Sequence, residues 1–212
     1  MKKIIIMLIS MMIMIPTASN AQNKALNKAL KKEYKHKIKD LKKEGWKLFG
    51  STRTLDVALL LHYEKLSELG ENGVEKVGYA SVSDPKHKNL LKQYATANAC
   101  NAYARDCGSL VRGRTANDMG VTDSEKSEFE HFYAAYESLV EKEIRGELKE
   151  SFALIREVNS RQIDMQVFYI IDEDAATKAR IRAFENAKKE SEVAQKYADK
   201  VSEFIKEGFE NE

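Results

Sequence analysis

Two apolar-rich runs, Leu148 to Val158 and Ile163 to Asp172, joined by Asn159-Ser160-Arg161-Gln162, constrain this chain more than any other stretch. Their length and turn-forming junction predict a β-hairpin. In the second run Ile163, Met165, Val167, Tyr169 and Ile171 share one face, while Phe168 and Ile170 occupy the other. A strand that is apolar on both faces needs cover on both, so the far end of this run is expected to be covered on both sides.

The segments before the hairpin supply further strands and helices. Trp46 to Ser51 alternates as a short strand, and Thr54 is positioned to cap a helix bearing Leu55, Ala58, Leu59, Leu61, Leu66 and Leu69 and ending at Gly70. Asn72-Gly73 reads as a turn into a strand from Val74 to Ser83, where Gly78 marks a close approach of backbone or helix. Asp84-Pro85 is a helix start, and an alanine-rich helix is expected from there to Cys107, closed by Gly108. Gly113, Asn117 and Gly120 make Ser109 to Val121 read as a long connection. Thr122-Asp-Ser-Glu125 is a capping box for a helix whose Phe129, Phe132, Tyr133, Tyr136, Leu139, Val140 and Ile144 form one stripe up to Gly146. After the hairpin, Asp174 is expected to cap a helix that reaches about Ile205, roughly 45 Å if unbroken, with Ala179, Ala183 and Ala187 as a small-residue ridge. The sum is an α+β fold, a strand-helix-strand unit plus a hairpin making about four strands, packed by long alanine-rich helices.

The N-terminus carries a different kind of information. Lys2 and Lys3, the apolar Ile4 to Thr17, and Ser19-Asn20-Ala21 have the order of a signal peptide cleaved before Gln22. About 15 apolar residues, interrupted by Pro16, fall short of the roughly 20 that span a bilayer. The expected partition is a signal peptide at 1–21, a basic amphipathic helix at 22–45 and a single domain at 46–212, with the product periplasmic or secreted. Loss of Lys2 and Lys3 leaves 33 basic against 33 acidic side chains, a balance that argues against a nucleic-acid binder. Cys100 and Cys107 lie seven residues apart in a predicted helix, roughly 10 Å, which exceeds the roughly 7 Å a disulfide tolerates. They are expected to stay reduced within one chain, as small hydrophobes of a buried stripe that includes Tyr103.

The basic helix sets Leu26, Leu30, Tyr34, Ile38 and Leu41 against Lys28, Lys31, Lys32, Lys35, Lys39 and Lys42, with Lys37 inside the apolar stripe. Such a helix docks on its own domain, on a partner helix or second copy, or on anionic lipid. Lys31, Lys35, Lys39 and Lys42 are the candidate surface contacts. Arg112-Gly113-Arg114, in the expected connection, is the candidate ligand contact, because two guanidinium groups around a flexible glycine grip carboxylate or phosphate.

Other chemistry is declined on its residues. His36, His62, His87 and His131 lack metal-ligand spacing, and His131 reads as a helix-surface residue. Ser83-Asp-Pro-Lys86 matches S-x-x-K without its partner elements, and Pro85 already explains it as a helix start. G-x-S-x-G, the P-loop and G-x-G-x-x-G are absent from the sequence, and Asp172-Glu-Asp174 suits the start of a helix, where negative charge is favoured. No catalytic residue, metal or cofactor is expected.

Gly78-Tyr-Ala80 entering the helix that carries Ala95 to Ala104, within the element order from Trp46 to Ile205, resembles a bacterial envelope family. That family contains small surface lipoproteins and the N-terminal domain of a flagellar assembly protein. The resemblance implies a helix packed across a small sheet, somewhat as in dodecin, and a non-enzymatic envelope role. The chain departs from it in having no cysteine at the cleavage point for lipid attachment. The expected function is therefore an exported, non-catalytic structural or interaction module with an envelope protein or a second copy as partner, the alternative being a ligand or enzyme site around Arg112, Gly113 and Arg114.

Overall fold

A computed structural model describes residue 32 and residues 34–83, 87–118 and 122–207. The predicted signal peptide, Lys31, the Asp84-Pro85 start with Lys86, and Gly120 lie outside the described residues. By contacts the chain divides between Gly45 and Trp46. In the first unit residues 34–43 are helical (α1), with Ile38 and Leu41 buried and Lys35, Lys39 and Lys42 exposed.

The second unit is α+β. Its strands are β1 (Lys47–Phe49), β2 (Gly73–Val82), β3 (Lys149–Asn159) and β4 (Gln162–Asp172). They form one antiparallel sheet in the order β1-β3-β4-β2, so the predicted hairpin is its centre. At the hairpin tip Asn159 Oδ1 accepts from the Arg161 amide at 2.9 Å, an Asx turn that the sequence Asn-Ser-Arg-Gln supports. β2 pairs with β4 without interruption from Gly73–Asp172 to Val82–Ile163. On one face of the sheet stand Gly78, Ala80, Ala153, Ile163, Met165, Val167, Tyr169 and Ile171; on the other stand Glu75, Val77, Tyr79, Phe152, Leu154, Asp164, Phe168 and Ile170.

The first face receives α3 (Lys88–Asp118) and, more lightly, α5 (Glu173–Ala187), while α4 (Asp123–Ile144) packs on those two helices, and all three share one continuous core with the sheet. Leu91, Ala95, Ala99, Cys100, Tyr103 and Cys107 of α3 are buried, as expected for the alanine-rich helix. The contact at Gly78 is backbone to backbone, since a Cβ there would lie 2.0 Å from the Ala95 carbonyl oxygen. α4 begins at the predicted capping box, where the Thr122 amide donates to Glu125 Oε2 at 3.0 Å. Its Phe129, Phe132, Tyr133, Tyr136, Val140 and Ile144 are all buried. The opposite face is covered by α2 (Leu55–Leu69), capped by Thr54 and closing at Gly70, which buries Leu55, Ala58, Leu59 and His62. Phe168 and Ile170 are 1% and 2% exposed, so the far end of β4 is covered on both sides.

Two expectations are corrected. α3 does not stop at Gly108 but continues through the expected connection to Asp118. Glycine inside a helix costs about 1 kcal/mol relative to alanine, and here burial of Leu110, Val111 and Thr115, in phase with Tyr103 and Cys107, offsets it. The C-terminal helix is not continuous either. α5 ends at Ala187, a 3-10 turn covers Lys188–Glu190, and α6 (Glu192–Lys196) and α7 (Ala198–Glu207) follow. Glu128 of α4 holds this break, accepting from the Val193 amide at 2.8 Å and the Ser191 hydroxyl at 3.1 Å, while Ser191 caps α6 through the Ala194 amide.

Candidate functional site

The helical course of α3 decides the fate of Arg112 and Arg114. Rather than flanking a flexible loop glycine, they project from a helix toward different neighbours. Arg112 pairs with Glu130 of α4 at 3.2 Å and lies over the Tyr133 ring at 5.0 Å. Arg114 donates to Glu207 Oε2 at 2.7 Å and to the Phe204 carbonyl at 3.2 Å, both on α7. The two guanidinium groups thus clamp α3 to separate helices and do not converge on a common ligand position. Gly113 between them has open space where a Cβ would stand.

Where α3 and α4 diverge, they leave a concave region that the sequence reading missed. A groove of about 420 Å³ runs between them, lined by Asn98, Asn101, Arg105, Glu137, Ser138 and Glu141 over the small side chains Ala104 and Ala134. One of its lining residues, Glu137, lies against the α3 backbone at Gly108. The lining is polar and solvent-facing, and Asn98 is already engaged, donating to the Tyr79 carbonyl of β2 at 2.8 Å. The available signal was the small-residue spacing of Ala104 and Gly108 opposite Ala134, visible only once the two helices are known to pack antiparallel.

The most perturbed ionisable groups lie beneath this seam, inside the core. Arg180 of α5 is 2% exposed and donates to the Tyr103 hydroxyl, to Glu173 and, at 2.7 Å, to Thr177. Burial works against its charge, but Tyr103, Glu173 and Cys107 around it raise its pKa overall. Burial raises the Tyr103 and Tyr136 hydroxyls far above their usual range and pushes the Cys107 thiol up to about 12. Cys100 shifts the same way from desolvation. Both cysteines are buried and free, and a thiol held protonated is a poor nucleophile. The cluster is a hydrogen-bonded charge within a packed interior, where the Tyr136 hydroxyl, Arg180 Nε and Glu173 Oε2 are the buried atoms that make no hydrogen bond.

Two polar pairs mark the other face of the sheet. His62 of α2, fully buried, bonds Glu75 of β2 through Nε2 at 2.6 Å and is edged by Phe152 and Phe168. Asp164 of β4, 2% exposed, accepts from Arg156 Nη2 at 2.9 Å, and the Trp46 ring lies 4.5 Å from that guanidinium. Burial raises the Asp164 carboxyl, but bonds from Ser81, Arg156 and Tyr79 outweigh it and lower the pKa.

The acidic run is spent on capping and pairing, with Asp172 rather than the expected Asp174 as the cap: Asp172 Oδ1 accepts from the Asp174 amide at 3.1 Å, and Glu173 pairs with Arg180. His131 is exposed on α4, as expected for a helix-surface histidine. Among the described residues no group of histidine, cysteine and carboxylate side chains is arranged to hold a metal, and no helix is long and apolar enough to cross a membrane. Of the candidate lysines, Lys35, Lys39 and Lys42 are brought onto one exposed side of α1. No family model, curated protein or solved structure matches the chain.

Proposed function

We propose that the chain is an exported, non-catalytic envelope protein acting as a structural or interaction module. The observation that carries this reading is the placement of its chemistry. The groups suited to nucleophilic or acid-base work, Cys100, Cys107, Tyr103 and Tyr136, are enclosed and held protonated, and Arg180 is bonded among them. Arg112 and Arg114 are spent on inter-helix clamps. The solvent-facing surface also carries apolar side chains: Val57, Leu60 and Leu61 on the outer side of α2 are 44%, 55% and 39% exposed, and Val77 and Tyr79 lie exposed on the edge strand β2. Contiguous exposed apolar side chains are the usual mark of a contact surface. Export rests on the Lys2-Lys3, Ile4–Thr17 and Ser19-Asn20-Ala21 pattern, and the family resemblance points to the same compartment.

Cell fractionation with mass spectrometry tests the export half; the envelope fraction is expected to contain a chain beginning at Gln22, and a cytoplasmic chain retaining Met1 overturns it. A photo-crosslinker placed at Leu60 tests the interaction half. It is expected to give discrete adducts in the intact envelope that the same group at exposed Lys189 does not give, and identical patterns from the two positions overturn the reading.

A further inference from the structure

We infer that the lysine stripe of α1 is a docking surface for anionic phospholipid headgroups, an inference that rests on the envelope reading above and names its partner. The first observation is charge segregation. Between Gln22 and Gly45 the sequence holds nine lysines and three acidic residues, net +6, whereas from Trp46 onward it holds 24 basic and 30 acidic residues, net −6. The overall neutrality of the processed chain thus conceals a basic arm and an acidic body.

The second observation is geometric. Lys32, Lys35, Lys39, Lys42 and Lys43 are exposed and follow the spacing i, i+3, i+7, i+10 and i+11, which sets them along one side of the helix over about 16 Å. Of the two acidic residues within this span, Glu33 and Asp40, Asp40 is tied to His36 at 2.8 Å. Among the described residues of the helix, the apolar Ile38 and Leu41 are 7% and 6% exposed, so neither is free to insert between acyl chains. What remains is a straight row of cations suited to lie against a plane of negative charge. Each lysine near an anionic bilayer strengthens binding about fivefold, and exposed charges interact over about 10 Å at 0.1 M salt. Contact is therefore weak per residue, additive along the stripe and readily reversed by salt. All five cations are lysines, point charges without the forked donors that grip individual phosphates, which favours a diffuse planar surface over a discrete phosphate site or a nucleic-acid groove.

The test sediments the purified chain from Gln22 to Glu212 with vesicles containing equal phosphatidylglycerol and phosphatidylcholine, and with phosphatidylcholine alone. Binding is expected to the first only, at low salt, and to be released near 1 M salt, where screening shortens to about 3 Å. Changing Lys35, Lys39, Lys42 and Lys43 to glutamine is expected to weaken it by about a hundredfold or more. The same net change made at the exposed body positions Lys65, Lys178, Lys189 and Lys206 is expected to leave most of it. Absence of low-salt binding, binding that survives 1 M salt, equal loss in the two variant sets, or tighter binding to a duplex DNA fragment at the same salt each overturns the inference. Circular dichroism of both variants confirms that the fold is retained. Failure of the envelope reading is registered separately by fractionation, since vesicle binding of the purified chain does not depend on where the cell places it.

Discussion

On one face of the sheet α3 lies so close that the Ala95 carbonyl occupies the place of a Gly78 side chain, whereas on the other α2 stands off on bulky groups, Phe152, Phe168 and His62. The first contact is made of small residues and tolerates no added atom. The face on which the second is made carries polar pairs, His62 of α2 with Glu75 and, within the sheet, Asp164 with Arg156, and is specific through hydrogen bonds. One sheet thus joins two kinds of packing. The difference predicts opposite sensitivities: added volume should injure the α3 face, and lost polarity should injure the α2 face.

The largest effect is expected for Gly78→Ala. The added methyl meets backbone on α3, which cannot rotate away, so a destabilisation of about 3 kcal/mol or more, at the upper end of overpacking costs, should appear in chemical denaturation. An unchanged midpoint would break the comparison. Next comes Asp164→Ala, which leaves the partly buried Arg156 guanidinium without its carboxylate at a cost of about 2–3 kcal/mol by the same measurement. If Asp164→Leu is as stable as the wild type, the pair serves specificity and not stability. Ala183→Leu, on the fully buried α5 ridge, is expected to lose about 1–3 kcal/mol in thermal unfolding, while alanine to leucine at an exposed helix position should change little. Gly108→Ala sharpens the contrast with Gly78. There the atoms nearest the added Cβ belong to the Glu137 side chain, which can swing away, and alanine suits a helix interior better, so the change is expected to be neutral or stabilising by up to about 1 kcal/mol.

The smallest expected effect is a pH dependence at Glu125. Its bonds from Lys196 and Thr122 lower the carboxyl from 4.5 to about 2. Because the folded-state value lies below the unfolded one, this contribution is complete above about pH 4.5 and is lost as pH falls toward 2. NMR titration of the Glu125 side chain should show the low midpoint, and Glu125→Gln should flatten that part of the stability curve slightly. A titration centred near 4.5 would mean the bonds to α6 and Thr122 do not persist in solution.

The elements legible in the sequence were those whose signals are local. Asn159 shaped the hairpin tip, Thr54 and Thr122 marked helix starts, Asp172 and Glu173 fell where a helix begins, and period-two alternation placed the residues of β4 on their faces. The misreadings have one physical source. Gly108 and Gly113 read as breakers because their cost is local, whereas Leu110, Val111 and Thr115 repay it only when buried by other elements. The break after Ala187 was hidden in the same way. Ser191 before Glu192 is a capping signal, yet it prevails because Glu128, 63 residues earlier, supplies the acceptor.

The candidate site followed the same division. The types and spacing of Arg112 and Arg114 were readable, but their partners, Glu130 and Glu207, come from helices that only the fold brings near. The stripe on α1 needed no such help for its spacing, since 3.6 residues per turn places Lys35, Lys39 and Lys42 together whatever surrounds them. By itself, then, the sequence determined local conformation, strand facing, the lysine stripe and the charge segregation, because backbone preference and periodicity act over a few residues. The tertiary structure alone decided which glycines stay helical, where the last helix breaks and which charges are spent on the fold, because those outcomes depend on burial and on partners distant along the chain.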